Sequence, residues 1–417
     1  MSRRFLVCGA APGAAAGNAT STEVLCDALS AFGTVDVLAH AIRPVPEWRE
    51  SHTGSRRTIT LGVQPALVHG EAFLPGRVFA RRLRAARYDL IWAVNSRYAG
   101  AARGAGLPYL VWEATLIRDE LRTMSVREVR RAGRGSGAGL LLHRATIAID
   151  EHLEHGILAG ATKVYAMSEY TRGRVVDVHR LPASHLDVLL HPPTRAFLDA
   201  LHKVGGPAAR RERDAGEMPR LLFVGRGDDP RKNLGLLFDT CRALNAGGFP
   251  VRLTLVGPHT DRWAKAQQFP PNVELLGPVD LGRLAMMYLS HDALVLSSRQ
   301  EGFGIVVAEA LHAGLPVVST ACGGPEDVVR RSQAGSIAGF SAAELAAAIR
   351  TVVTDREVWH RASQRGAEFA ANELSLDRLT TNVGHVLTQT IGETSRLEAP
   401  PLLRPRPLDG VSAGGVS

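Results

Sequence analysis

Short apolar runs alternate along this chain with longer stretches of helical periodicity. In the first half the runs are RFLVCGA, TVDVLAHA, YDLIWAVNS, PYLVWEA, TKVYAMS and LDVLLHPP, and in the second RLLFVGRG, VRLTLVGP, NVELLGPV, DALVLSS and LPVVSTA. Such alternation predicts parallel β-strands joined by crossover helices. The pattern breaks at residues 205–220, GGPAARRERDAGEMPR, a polar stretch rich in Gly and Pro that reads as a linker. The expected fold class is therefore α/β, with two tandem Rossmann-like, doubly wound parallel sheets over residues 1–205 and 206–390. The carboxyl ends of both sets of strands would face one central cleft, where open α/β sheets bind ligands. The last helices are expected to pack back on the first domain. Residues 391–417, Pro- and Gly-rich from Arg396 and without a period, predict a disordered tail.

Composition adds limits. A chain of 417 residues with 45% hydrophobic content suits two domains of about 200 residues each. No run reaches the roughly 20 apolar residues of a membrane span. The opening MSRRFLVCGAAPG breaks at Gly9 and Pro12, too early for a signal peptide, so a cytoplasmic protein with at most peripheral membrane contact is expected. Cys8, Cys26, Cys241 and Cys322 lie far apart without CxxC spacing, which points to buried small hydrophobes and to neither zinc nor disulfides. The net charge is +8, and residues 1–205 carry 26 basic against 18 acidic side chains while residues 206–417 carry 23 of each. An excess confined to the first half fits a basic cleft that attracts an anion, or a membrane-surface face. With 6% aromatic residues and no helix-turn-helix or RNA-recognition signature, nucleic acid is not an expected partner.

The densest chemistry lies in RQEGFGIVVAEALHAG, residues 299–314. A strand, DALVLSS, leads into the turn SRQEGFG and then into a helix that stops at Gly314. Gly302 and Gly304 let backbone approach a ligand closely, and the free N–H groups at the helix start suit an anion such as phosphate. Glu301 sits in the turn. Glu309 sits about one and a half turns into the helix, from where a side chain can reach a second part of the same ligand. Carboxylates accept two hydrogen bonds at once and so suit sugar or ribose hydroxyls; the competing reading is a turn glutamate and a solvent-facing helical one. In FVGRGDDPRKNLGLL, Arg226 and Lys232 bracket the turn before a helix and could grip a diphosphate from two sides. Lys232 is one of four lysines in an arginine-rich chain.

LLFVGRGDDPRKNLGLL, VRLTLVGP, NVELLGPV and SSRQEGFGIVVAEALHAGLPVVSTACGGPEDVV together resemble the donor-binding domain of the retaining group 1 nucleotide-sugar glycosyltransferases, which have the GT-B fold. Glu301 and Glu309 match that family's E-x7-E motif. The resemblance implies that Glu309 binds the ribose hydroxyls and Glu301 those of the donor sugar. It implies that backbone around Gly302, Phe303, Gly304 and Ile305 meets the diphosphate and sugar, that Arg226 and Lys232 neutralise the leaving phosphate, and that backbone near Leu275 and Leu276 holds the base. No cofactor or metal is implied, the nucleotide diphosphate sugar being a co-substrate and the acceptor a small molecule or glycan. The rival readings are a catalytically silent nucleotide-sugar-binding protein and a lipid-acceptor transferase at the membrane surface.

Two places depart from familiar patterns. GAAPGAAAGNATS, with Gly9, Gly13 and Gly17 spaced by four, is neither a dinucleotide fingerprint nor a P-loop. By the resemblance Gly13 to Gly17 would cover the diphosphate from across the cleft, and a flexible alanine-rich turn is the alternative. In PYLVWEATLIRDEL, Glu113 stands where the family often carries a histidine. A carboxylate there could meet the acceptor nucleophile and, with Asp119 and Glu120, favour a cationic acceptor; alternatively it pairs with an arginine of RTMSVREVRRAGR. His143, His152 and His155, on an expected helix, are candidates to replace the missing histidine.

Overall fold

A computed structural model describes residues 3–11, 17–42, 45–53, 56–63, 73–122, 137–214, 216–260, 270 and 272–392, apart from the side chains of residues 42, 73–74, 121–122 and 137–146. Gly13 and the tail from 393 lie outside them.

Two sheets form. The first contains β1 (Arg3–Cys8), β2 (Gly33–Ile42), β3 (Trp48–Thr53), β4 (Arg56–Val63), β5 (Leu90–Val94), β6 (Leu110–Glu113), β7 (Lys163–Ala166) and β8 (Leu186–Val188), in the order β3-β4-β2-β1-β5-β6-β7-β8. The second contains β9 (Arg220–Val224), β10 (Arg252–Val256), β11 (Val273–Gly277), β12 (Ala293–Leu296), β13 (Val317–Thr320) and β14 (Gly335–Ala338), in the order β11-β10-β9-β12-β13-β14. Every pairing is parallel except β3 with β4. The central strands are buried because helices cover both faces: β5, β6, β12 and β13 are buried along their whole length, including Glu113 and the Ser319–Thr320 end of β13.

The linker is not a loose tether. Arg210 donates to the carbonyls of Tyr288 (2.8 Å) and His291 and lies 5.0 Å over the Trp359 ring, while the Arg211 N–H donates to the Leu289 carbonyl at 3.0 Å. The helix Leu376–Ile391 packs against the helix Gly17–Ser30, with Gly384 facing the Phe32 ring. One apolar cluster runs through both domains and includes Trp112 and Phe197 from the first and Tyr288 and Phe303 from the second. All four cysteines are free and buried. No helix among the described residues is long and apolar enough to cross a membrane.

Candidate active site

The second domain builds its side of the cleft from three consecutive strand ends. Beyond β9 the chain makes one 3₁₀ turn, Pro230–Lys232, capped by Asp229, and the left-handed Asn233 leads into the helix Leu234–Ala246. Ser297 Oγ donates to the Lys232 carbonyl (2.8 Å) and the Arg299 N–H to the Arg231 carbonyl (2.7 Å), which ties the turn to the end of β12. Lys232 Nζ thereby reaches Glu301 Oε1 at 2.5 Å, and Ser298 Oγ donates to the same oxygen at 2.7 Å. Both ionic side chains are less than one-fifth exposed, at 18% and 14%. Arg226 is half exposed and forks onto Asp228 at 3.1 and 3.0 Å, a bond that strengthens its hold on the proton.

Glu301 lies beside the end of β13, its N–H donating to the Cys322 carbonyl (2.8 Å) and its carbonyl accepting from Gly324 (3.0 Å). A Cβ on Gly302 would come within 2.0 Å of the Ala114 carbonyl oxygen in the first domain, so only glycine fits. The Gly302 carbonyl accepts from Ser168 Oγ at 2.8 Å, again across the cleft. Gly304, at φ 78°, turns the chain into the helix Ile305–His312, whose first N–H groups have no partner within the helix. That helix ends at Gly314 (φ 65°), where the Leu315 N–H returns to the Ala310 carbonyl at 2.8 Å. Within it Glu309 Oε2 accepts the Tyr288 hydroxyl at 2.6 Å; burial pushes the carboxyl up to about 7, against the lowering effect of that bond.

Facing this side, the helix Gly17–Ser30 starts so close that a Cβ on Gly17 would lie 3.9 Å from Ile305 Cδ1. Two helix N-termini thus look at each other across a cavity of about 650 Å³. The first-domain wall among the described residues is Gly17, Asn18, Ser21, Asn95, Ala114, Thr115, Glu120 and Met167. Arg231 spans the gap to Glu120 Oε1 (2.7 Å), and Gln300 Nε2 donates to Thr115 Oγ1 (2.7 Å). Behind Ser21 lies the buried His191, stacked on Trp112 and tilted against Phe303. Burial lowers its pKa to about 4, leaving a neutral ring whose Nδ1–H donates to the Pro192 carbonyl (2.6 Å). Its Nε2 then accepts from the Ser21 hydroxyl at 2.8 Å.

Arg226, Lys232, Glu301, Gly302, Phe303, Gly304, Ile305 and Gly17 are therefore gathered around one space. Glu309 is partly exposed but is not among the described lining residues, and Leu275 and Leu276 sit on the edge strand β11. Three expectations need correction. Glu113 is not cleft-facing: its side chain is fully buried and Oε2 accepts from the Ser96 N–H at 2.8 Å, because the end of β6 turns this residue into the first domain. The basic cleft does not follow from the first-half charge excess. The described lining carries Arg226, Arg231 and Lys232 against Glu120, Asp228, Asp229 and Glu301, and all three cations belong to the second domain. His152 is exposed and His155 packs against His179, so neither lines the cavity; the side chain of His143 lies outside the described residues. Asn95 and His191 were not anticipated, since each follows a strand without a motif to mark it, and Arg231 was passed over within the turn that holds Lys232.

Residues 218–355 match the family model described as glycosyl transferases group 1. The chain is 30% identical over 280 residues to a D-inositol 3-phosphate glycosyltransferase from Geodermatophilus obscurus, covering 63% of this chain and 61% of that protein. It is 35% identical over 149 residues to a GDP-mannose-dependent alpha-mannosyltransferase from Mycobacterium tuberculosis, covering 35% of this chain and 38% of the relative. The chain thus spans less than two thirds of the length of these curated relatives. Among solved structures, sucrose-phosphate synthase from Thermosynechococcus elongatus superposes with a TM-score of 0.69 at 20% identity, over 93% of this chain and 98% of that one. The fold is GT-B.

Proposed function

We propose, from the match of residues 218–355 to the model described as glycosyl transferases group 1, that the chain moves a sugar from a nucleotide diphosphate sugar to a hydroxyl of a small-molecule or glycan acceptor, with retention at the anomeric carbon. The observation that carries this reading is the convergence of Lys232, Glu301 and the N-terminus of Ile305–His312 on one cavity between the domains.

In this reading the diphosphate sits against the Ile305 helix start, where free N–H groups and the helix dipole favour negative charge. Lys232 and Arg226 neutralise the charge that develops on the leaving phosphate oxygen as the anomeric C–O bond breaks. Glu301 takes donor-sugar hydroxyls with Oε2, since Oε1 is held by Lys232 and Ser298. Glu309 receives the ribose hydroxyls, and backbone at Leu275 and Leu276 borders the base. The new C–O bond forms on the face the phosphate leaves, and the acceptor proton passes to the departing phosphate oxygen. The step is assigned to these residues without a metal or cofactor.

The test is a thermal-shift screen of UDP, GDP and ADP sugars followed by NMR of the product anomer. A donor at 100 times its dissociation constant adds about 2.7 kcal/mol of stability. No shift with any of them would refute the donor site, binding without release of nucleoside diphosphate would indicate a silent binding protein, and an inverted anomer would refute retention.

A further inference from the structure

Asn95 stands at the carboxyl end of β5 with φ 76° and ψ 143°, backbone angles that glycine adopts freely and a residue with a side chain does not. Local bonds hold it there. Its N–H donates to the Trp112 carbonyl (2.8 Å), its carbonyl accepts from Tyr98 (3.1 Å), and the next N–H, of Ser96, donates to the buried Glu113 carboxylate at 2.8 Å. The result places Asn95 on the cavity wall beside Asn18, with its Nδ2 3.4 Å from Asn18 Oδ1. An alanine or leucine at the same angles would suffer the same backbone cost without an amide on the cavity wall.

Apart from Glu120, which Arg231 engages, the described residues of this wall are uncharged. With Asn95 Nδ2 engaged by Asn18, Asn95 Oδ1 remains as an acceptor and Asn18 Nδ2 as a donor. Ser21 is backed by a neutral imidazole, Thr115 is met by Gln300, and Glu120 is engaged by Arg231. Hydroxyl groups, which donate and accept together, match adjacent acceptor and donor atoms. An ammonium only donates and would leave the Asn18 amide unmatched.

Resting on the transferase reading above, we propose that Asn95 is the acceptor-recognition residue, held in place by Glu113 as a positioning residue, and that the acceptor is a neutral polyhydroxylated molecule and not a cationic amino sugar. Glu113 thus acts on the acceptor without touching it.

The experiment uses the full chain and the donor found in the nucleotide-sugar screen, with glucose, mannose, inositol and glucosamine as acceptor probes and release of nucleoside diphosphate as the readout. In the wild type at least one neutral probe accelerates release over water. Asn95→Gly, which suits the backbone angles, keeps the thermal midpoint and the donor-induced shift but lowers that acceleration at least tenfold. Glu113→Gln raises the Michaelis constant for the same probe without weakening donor binding, and the double variant is no worse than Asn95→Gly alone, because both changes remove one interaction. Acceleration by glucosamine only, by no probe, or undiminished in Asn95→Gly overturns the proposal, as do additive losses in the double variant. Should Glu113→Gln fail to fold, Asn95→Gly alone decides. Absence of any donor shift in the wild type would instead overturn the transferase reading.

Discussion

At Glu309 burial and function pull in opposite directions. Its carboxyl lies in the helix Ile305–His312 against the Tyr288 hydroxyl, and burial raises it from 4.5 to about 7. A carboxyl raised on folding means that the native state holds the proton more tightly than the unfolded chain. The associated stability is fully present below about pH 4.5, falls as pH rises towards 7, and is constant above that. A shift of this size, at about 1.4 kcal/mol per unit, amounts to about 3 kcal/mol. Glu309→Gln keeps the shape and still accepts the tyrosine hydroxyl but does not titrate. The unliganded variant is therefore expected to match the wild type near pH 4.5 and to exceed its stability by about 3 kcal/mol at pH 8. Urea unfolding across this range measures the difference, and a gap that does not change with pH would refute the reasoning. Donor affinity has the opposite sign. Under the proposed function the ionised carboxylate is the form that accepts two ribose hydroxyls, so wild-type affinity is expected to fall as pH drops below about 7, whereas the glutamine variant binds more weakly by about 1–3 kcal/mol and without that pH dependence.

Two further outcomes are expected. Lys232→Ala lowers turnover by roughly 100-fold or more, because it removes a preorganised charge from a site with little solvent, while Arg226→Ala lowers it by about tenfold, since that guanidinium is half exposed and engaged by Asp228; equal losses in steady-state kinetics would mean that Arg226 leaves Asp228 for the phosphate. Gly302→Ala drives a Cβ into the Ala114 carbonyl, which is backbone and cannot yield cheaply, so a destabilisation of about 1–3 kcal/mol and a turnover loss well beyond it are expected; normal turnover would show that this loop and the first domain part during catalysis.

Most strands that the chain announces are buried, although β8 and β11 were announced while partly exposed and the largely buried β4 escaped. RFLVC, LIWAV, ALVL and their like stand out because crossover helices force them to be apolar throughout. β3 escaped because its residues WRESHT are almost all exposed at the sheet edge, and β14 because GSIA is too short and small to rise above its surroundings. The second-domain side of the site was legible for a different reason: turn, glycines and helix start are contiguous in sequence, so Glu301 to Ile305 can be read as one unit. The first-domain wall is assembled from the ends of separate elements. Asn18, Asn95 and Thr115 become neighbours only when β1, β5 and β6 align, and no local pattern encodes that. Glu113 was misplaced by the same limit, since whether a strand-end residue points into the cleft or into the domain depends on register.

The charges of the cleft are already paired before any ligand arrives. Lys232 holds Glu301, Arg226 holds Asp228, and Arg231 holds both Asp229 and Glu120. Removing one partner from a mostly buried pair leaves the other charge exposed to a cost of about 3–5 kcal/mol. Under the proposed function a phosphate that recruits Lys232 must therefore leave Glu301 with something else to bind. Inorganic diphosphate offers nothing there, whereas a nucleotide sugar brings hydroxyl donors to the same carboxylate as its phosphates arrive at the lysine. Under that proposal the ion pair, self-neutralised on its own, couples recognition of the phosphate to recognition of the sugar and favours a donor that carries both over either half alone.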